Sequence, residues 1–274
     1  THEGLGNNPE QVPDFLALSF SSPDYIGHQF SANSIEIEDM YLRLDRELAD
    51  FFRFLDEHVG KGEYTVFLTA DHGVAHNPRF ILDRRGQAGY FNEGPVRGAL
   101  NDTLQALFGH ERIVSSLTNY QVHFDNALIH AHRLDEAAIR KAAVEFLREV
   151  EGISFVADFS DIGNAAIPQV LRERIINGYN SKRSGAIQFI VEPQWFSGTP
   201  RSAGTTHGTW SSYDSHIPNI WMGWGVGHGS TNRQVNMTDI ASTVAALLKI
   251  EEPNGNIGAP IQEVLESGKK GGLR

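Results

Sequence analysis

The chain has 274 residues, 40% of them hydrophobic and 21% charged, with a formal net charge of −11 and no cysteine. That length can bury a sizeable core as one large domain or a domain with an insertion, and the negative balance argues against a nucleic-acid partner, which calls for clustered Lys and Arg. Disulfides and thiolate metal sites are excluded, no apolar stretch approaches the roughly 18 residues of a membrane span, and the opening Thr1 is the start expected of a processed or truncated product.

Residues 14–20 read as a buried strand that Ser21-Ser22-Pro23 ends. Asp24 and His28 follow, and one turn of chain between them would let both side chains converge. A long helix is expected over 35–59, with Ser34 as N-cap and Glu36, Glu38 and Asp39 set against the helix dipole. Ile37, Met40, Tyr41, Leu44, Leu48, Phe51, Phe52 and Leu55 recur at helical spacing, a stripe expected to pack on the sheet. Gly60-Lys61-Gly62 stops that helix. Residues 64–70 then form an apolar run suited to a strand buried on both faces of a parallel sheet.

The run breaks off in Asp71-His72-Gly73. In open α/β sheets ligands gather outside the carboxyl ends of strands, and carboxylate with neutral imidazole suits zinc or a similar divalent ion, although the tripeptide alone also makes an ordinary turn. Strand, helix and strand make a right-handed parallel crossover, which would bring Asp24/His28 and Asp71/His72 to one sheet edge.

From 77 to 203 the pattern changes to helical signals at 95–108, 135–150 and 168–177, with short strand-like runs at 120–124, 153–156 and 186–191. This reads as an inserted α+β cap between core segments 1–76 and 204–266. Arg79, Arg84, Arg85, Lys182 and Arg183 could reach an anionic substrate, but solvated surface is the commoner role. His110, His123, His130 and His132 lack acidic partners at ligand-like spacing. Site-like sequence returns at Gly204-Thr205-Thr206-His207-Gly208 and at Tyr213-Asp214-Ser215-His216, where His207 and His216 compete for a ligand role. A strand is expected over 219–225, a helix over 237–250, and a disordered tail over 267–274.

Ser22-Pro23-Asp24-Tyr25-Ile26-Gly27-His28, Thr69-Ala70-Asp71-His72-Gly73 and Gly204-Thr205-Thr206-His207-Gly208, in that order, resemble the later metal motifs of the alkaline phosphatase superfamily. The resemblance is to its type I phosphodiesterase/nucleotide pyrophosphatase branch, and within that to phosphate-irrepressible alkaline phosphatases. It implies an alkaline-phosphatase-like α/β core, with a mainly parallel sheet flanked by helices and an inserted cap. It also implies two Zn²⁺ per intact active site, with Asp24, His28 and His207 on one and Asp71 and His72 contributing to the other, and His216 placed behind the ligands.

The implied activity is hydrolysis of small phosphate monoesters by two-metal phosphoryl transfer, the alternatives being a phosphodiesterase or nucleotide pyrophosphatase and a non-catalytic metal-binding protein. Family members carry a further metal-binding Asp and a Thr or Ser nucleophile upstream of these motifs. No such array precedes Asp24, so the expectation is the carboxyl-terminal portion of a longer, periplasmic or secreted enzyme, inactive alone. Its partner would be the missing amino-terminal half or, through exposed apolar surface, a second copy.

Overall fold

A computed structural model describes Gly4 and residues 12–269. In chain order the elements are α1 (Ser22–Phe30), α2 (Ile35–Leu55), a π-helical turn at Asp56–Gly60, β1 (Thr65–Thr69), α3 (Pro78–Leu82), β2 (Gly89–Phe91) and α4 (Glu93–Phe108). Next come β3 (Val114–Thr118), β4 (Gln121–Phe124), α5 (Asn126–His132), α6 (Glu136–Arg148), β5 (Ile153–Asp158), a 3-10 stretch at Phe159–Asn164 and α7 (Gln169–Gly178). The chain closes with β6 (Ile187–Val191), β7 (Trp195–Ser197), α8 (Ser212–Ser215), β8 (Asn219–Gly223), α9 (Met237–Leu248) and α10 (Gln262–Lys269). They fold into two compact units, one from the segment ending at Ser21 with Asp39–Asp71 and the chain from Pro218 onward, the other from Ser22–Glu38 and His72–Ile217.

The second unit is built on a four-stranded antiparallel sheet of order β3-β4-β6-β5. All five residues of β6 are buried. Successive side chains of a strand point to opposite faces, and here both faces are covered. Ile187, Phe189 and Val191 enter one apolar cluster with Leu100 and Leu104 of α4 and Ile139 and Leu147 of α6, whereas Ile190 enters a second with Ala157, Ile167 and Ile175. Burial on this scale contributes roughly 1.5–3 kcal/mol per large side chain. The one polar residue of β6, Gln188, donates to the Tyr120 and Phe189 carbonyls at 2.9 and 3.1 Å and accepts from Gln121 at 2.9 Å, so its amide is satisfied inside the sheet. Asn119 and Tyr120 turn β3 into β4 with φ of 52° and 58°, the left-handed pair that a two-residue hairpin requires. A separate parallel pair joins β2 and β7.

In the first unit β1 pairs antiparallel with β8, Thr65 opposite Gly223 and Thr69 opposite Asn219. Phe67 stacks on Trp221 with ring centroids 5.0 Å apart. At Gly223 φ is +104° and a Cβ would run into the Tyr64 carbonyl, so the strand end needs glycine. Asp239 supports the start of α9 by accepting from the Asn236 N–H at 2.8 Å, and its other oxygen accepts from Ala259 N–H at 3.0 Å.

Four expectations need correction. Residues 14–20 carry no strand assignment, and Phe15 and Leu16 are 60% and 59% exposed. The parallel crossover is therefore absent among the described residues: β1 has an antiparallel partner, and parallel pairing is confined to β2 and β7. A strand is buried on two faces only when other elements cover both, and Leu68 remains 40% exposed. Of the α2 stripe only Met40 and Leu55 are buried, while Tyr41 is exposed. Finally, α10 runs to Lys269, so the first residues of the expected disordered tail are helical, and 270–274 lie outside the described residues.

Between residues 77 and 203, α4, α6 and α7 and strands β4, β5 and β6 lie within a few residues of their expected positions. The α/β class holds, with sheets flanked by helices.

Candidate metal centre

The site lies within the second unit and is assembled from three stretches. On α1, Asp24 and His28 stand one helical turn apart and share a face, so a single helix sets their spacing. His72 follows the end of β1, and His207 sits in the loop before α8.

Backbone contacts lock these stretches together. Thr205 N–H donates to the Gly27 carbonyl at 3.1 Å, Ala75 N–H to Thr206 O at 3.3 Å, and the Thr205 hydroxyl to the Ala75 carbonyl. Gly204 lies so close to the His28 carbonyl that a Cβ would collide with it, and Gly73 is held as tightly against the Tyr213 carbonyl. Both glycines are therefore there for close backbone approach, whereas the His-Gly step at 207–208 uses glycine for its φ of +92°. Behind the loop, the Asn77 amide donates toward the carbonyls of Ser202, Ala203 and Gly204 at 3.1, 3.1 and 2.6 Å, and its oxygen accepts from Arg79 N–H and the Tyr90 hydroxyl.

The side chains converge on one carboxylate oxygen. Asp24 Oδ1 lies 3.3 Å from His28 Nε2, 3.5 Å from His207 Nε2 and 3.9 Å from His72 Nε2. Asp24, His72 and His207 offer ligand atoms all within 4.8 Å of one another, the one such group among the described residues. The hydrogen bonds fix the tautomers. His28 Nδ1 is 2.9 Å from the Thr205 carbonyl and His72 Nδ1 is 2.9 Å from the Gly73 carbonyl. A carbonyl only accepts, so each Nδ1 carries a proton, and Nε2 is the nitrogen turned toward Asp24 and placed to bind a cation.

The spacing suits zinc. Bonds of about 2.0–2.2 Å in a tetrahedron put ligand atoms roughly 3.3–3.6 Å apart, which the His207 separation from Asp24 matches; His28, although 3.3 Å from Asp24, lies outside the group that His72 completes. The His72 and His207 rings stack with centroids 3.4 Å apart and planes 12° from parallel, a packing that disfavours two charged rings. Burial and the neighbouring His72 together push the His207 pKa down, keeping it in the neutral, metal-binding form, with Asp24 opposing.

Asp71 ends the Asp39–Asp71 segment of the first unit, is exposed and is not in the ligand group. His216 is exposed at the end of α8 and is not in the ligand group. The same segment holds a residue the sequence reading passed over: Asp214 is only 4% exposed, with Oδ2 accepting from the Thr209 N–H at 2.7 Å and the Thr209 hydroxyl at 2.6 Å. An Asp between Tyr and Ser in a polar loop carries the signal of a turn residue, and nothing local announces its burial. Thr205 and Asn77 were equally illegible, because what they bind lies more than a hundred residues away.

Beside His207 opens a cleft of about 370 Å³, also lined by Glu93, Asn119, Tyr120, Ser197 and Thr206. Burial pushes the Tyr120 hydroxyl up to about 12, so it stays protonated at neutral pH and accepts from Ser197 N–H at 3.1 Å. Of the basic residues at 79–85 and 182–183, for which solvated surface is the commoner role, Arg84 is exposed and lies over the Phe80 ring at 3.5 Å.

The family model for type I phosphodiesterase/nucleotide pyrophosphatase matches residues 3–214. A Myroides odoratus protein described as a calcium-transporting ATPase is 58% identical over 265 residues, covering 97% of this chain and 48% of the relative. Alkaline phosphatase PafA of Elizabethkingia meningoseptica is 44% identical over 256 residues, covering 93% of this chain and 46% of the relative. The crystal structure of wild-type PafA superposes with a TM-score of 0.84 at 45% identity, over 89% of this chain and 46% of that one. Murine ectonucleotide pyrophosphatase/phosphodiesterase 5, at 16% identity and a TM-score of 0.56, shares the fold. The chain thus spans about half the length of the relatives it matches. No helix among the described residues is long and apolar enough to cross a membrane. By the extent of that match, the chain belongs to the type I phosphodiesterase/nucleotide pyrophosphatase family.

Proposed function

We propose that this chain is the metal-binding portion of a zinc-dependent phosphoester hydrolase of the alkaline phosphatase type, acting on small phosphate monoesters. The observation that carries this is the convergence of three imidazole Nε2 atoms on Asp24 Oδ1, two of them with Nδ1 spent on a backbone carbonyl. Asp24, His28 and His207, with His72 beside them, would hold one zinc. Asp71 and His72 retain the role that the resemblance gives them at a second. Bound zinc would stabilise negative charge on the phosphoryl oxygens as it develops.

The chain's own residues supply the rest. Asp24 balances the cation, the Thr205 and Gly73 carbonyls hold two rings in the ligand tautomer, and the cleft past His207 has room for the alcohol portion of an ester. Tyr120, held protonated, is no general base. The nucleophile is the upstream Thr or Ser that the resemblance implies, and a periplasmic or secreted location follows from the same resemblance. The apolar side chains of residues 12–20, about half exposed, support self-association or cover by a further part of the polypeptide.

A phosphodiesterase or nucleotide pyrophosphatase is the second reading, favoured by the description of the matching family, and the printed name of the Myroides relative adds ATP to the substrates worth trying. Elemental analysis of the purified chain, with turnover of a chromogenic phosphate monoester, the matching diester and ATP under added zinc, tests these together. Bound zinc with monoester as the best substrate, or bound zinc that becomes active only when an upstream segment is supplied, supports the proposal. Preference for the diester or ATP moves the assignment to the second reading. Absence of zinc overturns the metal site, and zinc with no turnover in any longer form leaves a non-catalytic metal-binding protein.

A further inference from the structure

We propose that Asp214 is a positioning residue of the metal centre, a buried carboxylate that holds the His207 and His72 segments in register and supplies negative charge behind the imidazoles. This rests on reading the Asp24 cluster as a divalent-cation site. The geometry is that of a clasp. Oδ2 is held by both donors of Thr209, two residues past His207. The Asp214 main-chain carbonyl accepts from Gly73 N–H at 2.7 Å, one residue past His72, and the adjacent Tyr213 carbonyl accepts from Val74 N–H at 3.1 Å. One residue thus grips both ligand-bearing stretches.

The second observation concerns the other oxygen. Oδ1 is buried and has no hydrogen-bond partner among the described residues. An anionic oxygen in that position is costly unless positive charge lies within reach. Burial pushes the Asp214 pKa up, the Thr209 donors oppose that, and His207 and His72 also favour the charged form, the more so when they share electrons with a cation. Of the three imidazoles, His28 and His72 have Nδ1 anchored to a carbonyl, whereas among the described residues no such bond orients His207. The ring lacking its own anchor is the one flanked by the Asp214–Thr209 clasp.

If Asp214 served only to close the turn from Thr209, its charge would be immaterial to the cation. The test is zinc affinity of the 274-residue chain, measured by competition with a chromophoric chelator, alongside thermal melting of the zinc-free form. Asp214→Asn keeps the shape and an acceptor for Thr209 but removes the charge. The expected result is zinc binding weaker by about 10–100-fold, with a zinc-induced rise in melting temperature that shrinks correspondingly. Thr209→Val, which keeps the charge and removes one donor to it, should weaken zinc by less than about tenfold, and it carries the test if Asp214→Asn does not fold. Zinc affinity equal to wild type in Asp214→Asn, or in Thr209→Val where that variant carries the test, overturns the proposal even if the zinc-free form melts lower. A wild-type chain that binds no zinc overturns the reading of the site itself and this inference with it.

Discussion

Two five-residue strands of similar apolar character, Thr65–Thr69 and Ile187–Val191, have opposite fates. β6 has a strand on either side and helices or loops over both faces, and every residue in it is buried. β1 has one described partner, and none of its residues reaches full burial. Apolar composition therefore reports a capacity for burial, and the number of elements packed around the strand decides how far it is used. The same contrast separates the two units: the second has a continuous side-chain core around β6, while in the first Leu68, Ile220, Met222 and Trp224 stay substantially exposed.

The sharpest way to break this comparison is truncation in each strand. Phe189→Ala removes a ring with no exposure and should destabilise the second unit by about 3–5 kcal/mol, whereas Leu68→Ala should cost under about 1 kcal/mol. Denaturant titration of both variants measures the difference, and equal losses would mean that β1 is covered in the protein as it stands in solution. Next in size is the site. His28→Ala deletes one of the rings at Asp24 and is expected to lower zinc affinity by about 100-fold or more while leaving the zinc-free melt nearly unchanged, since the side chain is well exposed. Chelator competition and calorimetry check the two halves of that statement.

Asn77→Ala should cost about 1–3 kcal/mol, because it strands the carbonyls at 202–204 and removes the cap of α3. Faster amide exchange confined to the 202–208 loop would show that the asparagine acts through that loop.

The smallest expected effect is one of pH. His207 titrates below the ordinary value of 6.5 in the folded chain, so the unfolded chain binds more protons between that lowered value and 6.5. Stability contributed by this residue is therefore full above about pH 6.5 and falls as pH drops through the window beneath it. Comparing wild type with His207→Gln in zinc-free melts from about pH 8 to about pH 5 should show the wild type losing stability faster on acidification, and parallel curves would remove burial as the cause.

What the sequence determined by itself was local or carried by motif. Helical periodicity located α4, α6 and α9 because a 3.6-residue pattern is written within each segment. The i, i+4 spacing of Asp24 and His28 was legible for the same reason, and the order of three motifs with their glycines pointed to the family. Tertiary structure alone decided what depends on distant partners. It turned the run at 64–70 into an antiparallel strand with an open face, left 14–20 without a strand assignment, and gathered His72 with Asp24 and His207. It also exposed His216 while burying Asp214 two residues earlier, because the 213–214 backbone pairs with 73–74, some 140 residues away. Burial and hydrogen-bond partnership across such distances are properties of the packed chain, and no local pattern in the sequence encodes them.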